Sequence, residues 1–113
     1  MSRSDAPETP VQLLLVTAPS AEVGTRLARA LVDERLAACV NLVPGVRSIY
    51  RWAGAVQEDD EVLLVIKTRQ DRVSELSRRV HELHPYELPE LIAVGVQGGS
   101  ERYLEWLRGE AAP

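Results

Sequence analysis

The run Val11 to Thr17 (VQLLLVT) is short, rich in branched aliphatic residues and closed by Pro19-Ser20. An apolar run without alternation fits a strand buried on both faces, so a central strand is expected here. After Ser20, a suitable helix N-cap, Val23, Leu27, Ala30 and Leu31 recur at helical spacing and predict an amphipathic helix over 20–36. Two long apolar-rich segments follow, Cys39 to Trp52 and Val56 to Thr68, joined by the hairpin-sized link Ala53-Gly54-Ala55. Pro44-Gly45 interrupts the first of them and predicts a bulge or bend, because proline donates nothing to a ladder. Asp71 is placed to cap a second helix with the stripe Val73, Leu76, Val80 and Leu83, which Pro85 stops. Leu91 to Val96 reads as a strand, and Gly98-Gly99-Ser100 leads into a short helix bearing Tyr103, Leu104, Trp106 and Leu107.

The order is β-α-β-β-α-β plus a final short helix. This is the α+β arrangement of a ferredoxin-like split β-α-β sandwich, with helices on one face of an antiparallel sheet. Residues 11–110 are expected to form a single domain, and the polar, proline-containing stretch 1–10 a disordered N-terminal tail. The sheet face turned away from the helices also carries Leu, Val and Ile, so it needs a cover. Length makes the same point. Fourteen residues of strand reach about 46 Å, whereas a domain of this size has a diameter of roughly 35 Å. The hairpin must curl or protrude, and since an isolated ribbon is barely stable in water, a second subunit is expected to receive it.

Composition narrows the function. The chain has 113 residues, 45% hydrophobic, with a formal charge of −4 and its 13 basic residues dispersed, which argues against nucleic acid as a partner. No stretch reaches the roughly 18–20 apolar residues of a membrane span, and no apolar signal segment opens the chain, so a cytoplasmic protein without a membrane partner is expected. A single cysteine, Cys39, excludes an internal disulfide. Aromatic residues are few and all lie at or after residue 50, and Lys67 is the only lysine.

Six segments, in order, carry a resemblance. They are Thr17-Ala18-Pro19, Glu34 to Gly45 (ERLAACVNLVPG), Ser48 to Gly54 (SIYRWAG), Ile66-Lys67-Thr68, His84-Pro85-Tyr86-Glu87 with Pro89-Glu90, and Tyr103-Leu104-Glu105-Trp106. Together they resemble the CutA family of divalent-cation tolerance proteins over about residues 11 to 108. The resemblance implies a ferredoxin-like protomer assembled as a homotrimer by its long hairpins. It also implies a link to copper and other divalent metals, and a fold shared with PII-type signalling trimers. The copper ligands proposed in the family are a cysteine near the end of the first strand and two adjacent histidines before the Pro-Tyr motif. The matching positions are Val16, Leu83 and His84, so one of three donors remains.

His84 is therefore the expected metal residue. In the last turn of the second helix its imidazolium is favoured by the helix dipole, and the same placement suits a capping or packing residue. His81, three residues earlier, could share a cation with it. Cys39 has no basic neighbour in sequence except Arg35 and reads as a packing residue. The acidic run Glu58-Asp59-Asp60-Glu61 alternates between strand faces, so its carboxylates cannot converge on one ion, and cross-strand pairing with Arg47 and Arg51 accounts for it better. The remaining candidates are Lys67 at a strand end, Tyr86, Glu87 and Glu90 at the helix exit, Trp52 on the hairpin and Trp106 on the final helix. A trimer would bring the hairpin of one subunit over the helix exit of the next. The resulting cleft suits a small anionic or zwitterionic ligand, or a metal bridged by one. The plainer alternative is an intersubunit salt bridge of Lys67 with Glu90, sealed by Trp52. The expectation is thus a homotrimer of divalent-cation, chiefly copper, tolerance that binds copper(II) or another divalent cation, with none obligatory, and does not catalyse. A PII-like trimer with a small ligand in its intersubunit clefts is the alternative.

Overall fold

A computed structural model describes residues 8–113. Strand β1 (Val11–Ala18) leads into helix α1 (Ala21–Asp33), then the hairpin of β2 (Cys39–Trp52) and β3 (Ala55–Arg69). A 3-10 turn (Gln70–Arg72) precedes helix α2 (Val73–Leu83), followed by β4 (Ile92–Gly95) and helix α3 (Glu101–Glu110). The sheet is ordered β2-β3-β1-β4 with every pair antiparallel, the expected ferredoxin-like arrangement.

Strand alternation divides the sheet into two faces. Leu14, Val16 and Ala18 of β1 and Val62, Leu64 and Ile66 of β3 are all buried against Leu27, Ala28 and Leu31 of α1 and Leu76 and Val80 of α2. The opposite face carries Leu13, Leu15, Leu63 and Val65, only half-buried, and Val43, Ile92 and Val94, which are exposed. Helix α3 covers one end of that face, packing Leu107 and Ala111 on Val11 and Ala38. The rest is open.

Ser20 caps α1 as expected, its hydroxyl accepting from the Val23 amide at 3.2 Å. The helix is shorter than the expected 20–36, because Arg35 adopts φ 59° and turns the chain, with the Leu36 amide donating back to the Leu31 carbonyl at 2.9 Å. The buried Arg72 guanidinium donates to the Arg35 carbonyl from Nε and Nη2, at 3.4 and 3.2 Å, and holds this corner. Asp71 does not cap α2. Its carboxylate is taken by Arg69 at 2.7 Å, inside the 3-10 turn, and that guanidinium holds the Asp71 carboxyl below its ordinary range.

Most of the expected N-terminal tail, residues 1–7, lies outside the described residues. Residues 8–10 are tied down: Arg108 donates to the Thr9 carbonyl at 2.9 Å and the Gln70 amide to the Pro10 carbonyl at 2.8 Å.

The hairpin protrudes. The molecule measures 58 × 25 × 23 Å with a radius of gyration of 15.5 Å, against about 13 Å for a compact chain of this length. Its two-residue turn, Ala53 (φ 53°) and Gly54 (φ 80°), has the left-handed pair that matches strand twist. The expected bulge falls at Pro44-Gly45, between the pairs Val43↔Leu63 and Val46↔Glu61. One extra residue reverses the parity of β2, so Val46, Ser48, Tyr50 and Trp52 join Asp59 and Glu61 on the open face.

Candidate functional site

Beyond Ala18, which pairs with Val62, β1 ends while β3 continues. The segment 85–90 fills the corner beside this extension. Together they form a cleft of about 750 Å³ lined by Thr17, Ser48, Ile49, Tyr50, Trp52, Glu61 and the segment 85–90. Tyr86 Oη donates to Glu61 Oε2 at 3.0 Å, and Tyr50 Oη donates to Asp59 Oδ2. Burial, with the Glu61 carboxylate second, pushes the Tyr86 hydroxyl up to about 12. The hydrogen bond to Asp59 raises that of Tyr50. Both phenols therefore stay neutral donors through the physiological range.

His84 lies just past α2, as its C-cap in extended conformation and not in its last turn. The ring is buried. Nε2 donates to the Thr17 carbonyl at 2.8 Å, and Nδ1 accepts from the Tyr86 amide at 3.1 Å. One nitrogen is thus a donor and the other has its lone pair engaged, the pattern of a neutral imidazole with none to offer a cation. The geometry makes His84 a clamp that ties 85–90 to the end of β1, with its ring 4.7 Å from that of Tyr86. His81 is exposed, its Nδ1 2.8 Å from the Ser77 carbonyl oxygen, and does not meet His84. Among the described residues no three His, Cys, Asp or Glu side chains converge to hold a metal ion.

Of the expected cleft residues, Trp52, Tyr86, Glu87 and Glu90 come together, and Lys67 and Trp106 do not. Lys67 is opposite Leu13, four residues along β1 from Thr17 or about 13 Å. Its Nζ donates to Asn41 Oδ1 and lies 4.0 Å from Cys39 Sγ, so Cys39 has the basic neighbour its sequence surroundings lack. Trp106 stacks on Tyr103 of α3 with centroids 5.4 Å apart. Without Lys67 the lining holds three carboxylates, Glu61, Glu87 and Glu90, and no basic side chain among the described residues. The part of the cleft that one chain supplies is acidic, and the cation Lys67 was expected to reach it only across subunits.

In the acidic run, Arg47 lies 3.5 Å from Glu58 and 3.7 Å from Asp60, as expected, whereas Arg51 pairs in register with Val56. Sequence reasoning missed Glu61, Tyr50, Ser48 and Thr17 as site residues. The parity change at Pro44-Gly45 was the signal for two of them: it sends Ser48 and Tyr50 to the face that Glu61 shares.

A family model described as CutA1 divalent ion tolerance protein matches residues 12–110. The chain belongs to the CutA family. It is 53% identical over 97 residues to the divalent-cation tolerance protein CutA of Thermus thermophilus, covering 86% of this chain and 94% of that relative. A solved structure of the divalent cation tolerance protein from T. thermophilus superposes with a TM-score of 0.87 at 51% identity, over 88% of this chain and 97% of that one. The crystal structure of CutA1 from Oryza sativa gives 0.88 at 47% identity, over 90% and 94%. The chloroplastic CutA of Arabidopsis thaliana is 50% identical over 99 residues, 88% of this chain but 54% of that protein, so the chain spans about half of this relative. CutA membership does not fix a cytoplasmic location, since that relative is named chloroplastic. Among the described residues no helix is long and apolar enough to cross a membrane.

Proposed function

We propose that this CutA chain acts in divalent-cation tolerance as a homotrimer that binds cations and catalyses no reaction. The observation that carries the reading is the acidic cleft at the base of the projecting hairpin, with Glu61, Glu87 and Glu90 and, among the described residues of one chain, no basic lining residue. Oxygen donors of this kind suit hard divalent cations, whereas copper(II) favours imidazole. His84 would have to give up its bond to the Tyr86 amide before serving copper(II), so copper is one cation of the class and His84 acts chiefly as a clamp. The donors of one chain do not converge, and neighbouring subunits would complete the set, with Lys67 and Trp106 arriving at the cleft from another chain. The open apolar face and the 58 Å length support the assembly, because apolar patches of this kind mark interfaces.

Sedimentation at micromolar concentration is expected to give three times the 12.5 kDa chain mass, and a monomer would refute the assembly. Titration calorimetry with copper(II) and manganese(II) is expected to show binding that survives His84→Ala and weakens in Glu61→Gln. No heat from either ion would overturn cation binding.

A second reading, a PII-like trimer binding a small ligand, is favoured by the cleft itself. Its volume of about 750 Å³ is far more than one ion needs and falls in the range of small-molecule sites.

A further inference from the structure

We propose that the Lys67 ammonium of a neighbouring subunit sits on the Glu61 carboxylate, and that a divalent cation reaches this carboxylate only by displacing it. This rests on the homotrimer and cation readings above and names what regulates that site.

Each chain holds one charge of each sign without a mate inside the chain. Glu61 is only 7% exposed, and among the described residues its one hydrogen-bond partner is the neutral Tyr86 hydroxyl. A carboxylate accepts from several donors, and native proteins rarely keep one buried without a counter-charge. Glu87 and Glu90, the other carboxylates of the lining, are exposed and keep their water. Lys67 is the complement. Among the described residues its Nζ meets only neutral groups of its own chain, Asn41 Oδ1 and, at 4.0 Å, Cys39 Sγ.

The sheet shows why these two charges belong together and why one chain cannot join them. Glu61 and Lys67 stand on the same face of β3, with Leu63 and Val65 between them. That is the open apolar face, which other copies cover in the homotrimer. Of the strand residues on it two are cationic, and Arg69 is already bonded to Asp71 at 2.7 Å, which leaves Lys67. Six residues of strand separate Lys67 from Glu61, about 20 Å, more than the two side chains span together. The pair therefore forms between chains or not at all.

The consequence is competition. A lysine ammonium and a divalent cation are drawn to the same carboxylate oxygens, and Glu61 becomes a donor to an ion only once Lys67 leaves it. The cation position of the empty cleft is filled by the protein itself.

Lys67 is the only lysine of the chain, so lysine labelled with carbon-13 at Cε gives a single side-chain signal by NMR. In the metal-free trimer Glu61→Gln is expected to move that signal, and Glu90→Gln to leave it in place. Zinc(II), a diamagnetic divalent cation, is expected to move the parent signal towards its Glu61→Gln position. Lys67→Met removes the competitor and should bind zinc(II) about tenfold more tightly than the parent by titration calorimetry. Sedimentation checks the assembly of each variant, and the labelled parent decides the case even where Lys67→Met fails to assemble. A signal indifferent to Glu61→Gln, or one that answers to Glu90→Gln instead, would overturn the pairing. Heat from zinc(II) with the lysine signal unmoved would overturn the displacement while leaving cation binding standing. No heat from zinc(II) in the parent or in Lys67→Met would overturn the displacement and the cation reading together.

Discussion

Replacing Tyr86 by Phe removes one oxygen and leaves the ring against His84. What is lost is the 3.0 Å bond to Glu61 Oε2, and Glu61 has no other donor to turn to among the described residues. A hydrogen bond to a charged acceptor contributes about 1.5–3 kcal/mol. Because Tyr86 is half-buried and borders a cleft that admits water, the lower part applies, about 1–2 kcal/mol. For a domain of this size 1 kcal/mol corresponds to roughly 4–8 °C, so Tyr86→Phe should melt roughly 4–16 °C below the parent at neutral pH, followed by circular dichroism. The pH dependence has a definite sign. Tyr86 keeps its proton in the folded chain up to about 12, while an unfolded tyrosine ionises near about 10. Its contribution is therefore whole below about pH 10 and is lost as pH rises toward 12. The parent curve should approach that of the variant across this window, with Tyr50 present in both and cancelling. Melting points equal at neutral pH, or a gap unchanged into the alkaline range, would refute the reasoning.

Two further substitutions test the scaffold. A Cβ at Gly24 would sit 3.2 Å from both Leu42 Cδ2 and Leu64 Cδ1. Helix propensity favours Gly24→Ala by about 1 kcal/mol, but Leu64 is fully buried and overpacking costs about 1–3 kcal/mol. A lower urea midpoint is expected, and a higher one would show that Leu64 can move. Arg35 holds φ 59° and its one ion pair among the described residues, to Glu110 at 3.7 Å, is exposed, so Arg35→Gly should raise stability by about 0.5–1 kcal/mol. A loss in the same assay would mean that the Arg35 side chain matters more than its backbone.

The elements were legible because each has a local cause. Val11–Ala18 is uniformly apolar, Ser20 is a cap, and Pro44-Gly45 and Ala53-Gly54 mark a bulge and a turn where the structure has them. The site was legible only in part, because its causes are not local. Asp71 looks like a cap until Arg69, two residues away, takes its carboxylate. His84 looks like a ligand until Thr17 and the Tyr86 amide occupy its nitrogens. The role of Glu61 depends on a tyrosine 25 residues on, and the face on which Tyr50 and Trp52 stand depends on one inserted residue in β2. Spacing along the chain carries helix and strand periodicity, but not which side chain from elsewhere arrives first.

The position of β1 in the sheet bears on how the chain is made. Val11–Ala18 leaves the ribosome before either of its partners, Val62–Arg69 on one side and Ile92–Gly95 on the other. The β2–β3 hairpin, joined by two residues, can close within about 1–10 μs once both strands exist. Throughout synthesis up to that point this apolar strand has no partner, and its second edge stays open until β4 has been made. Non-local pairing of this kind is slow and exposes edges to the wrong neighbour. The interval between the first strand and its last partner is when a nascent chain of this fold is most open to aggregation.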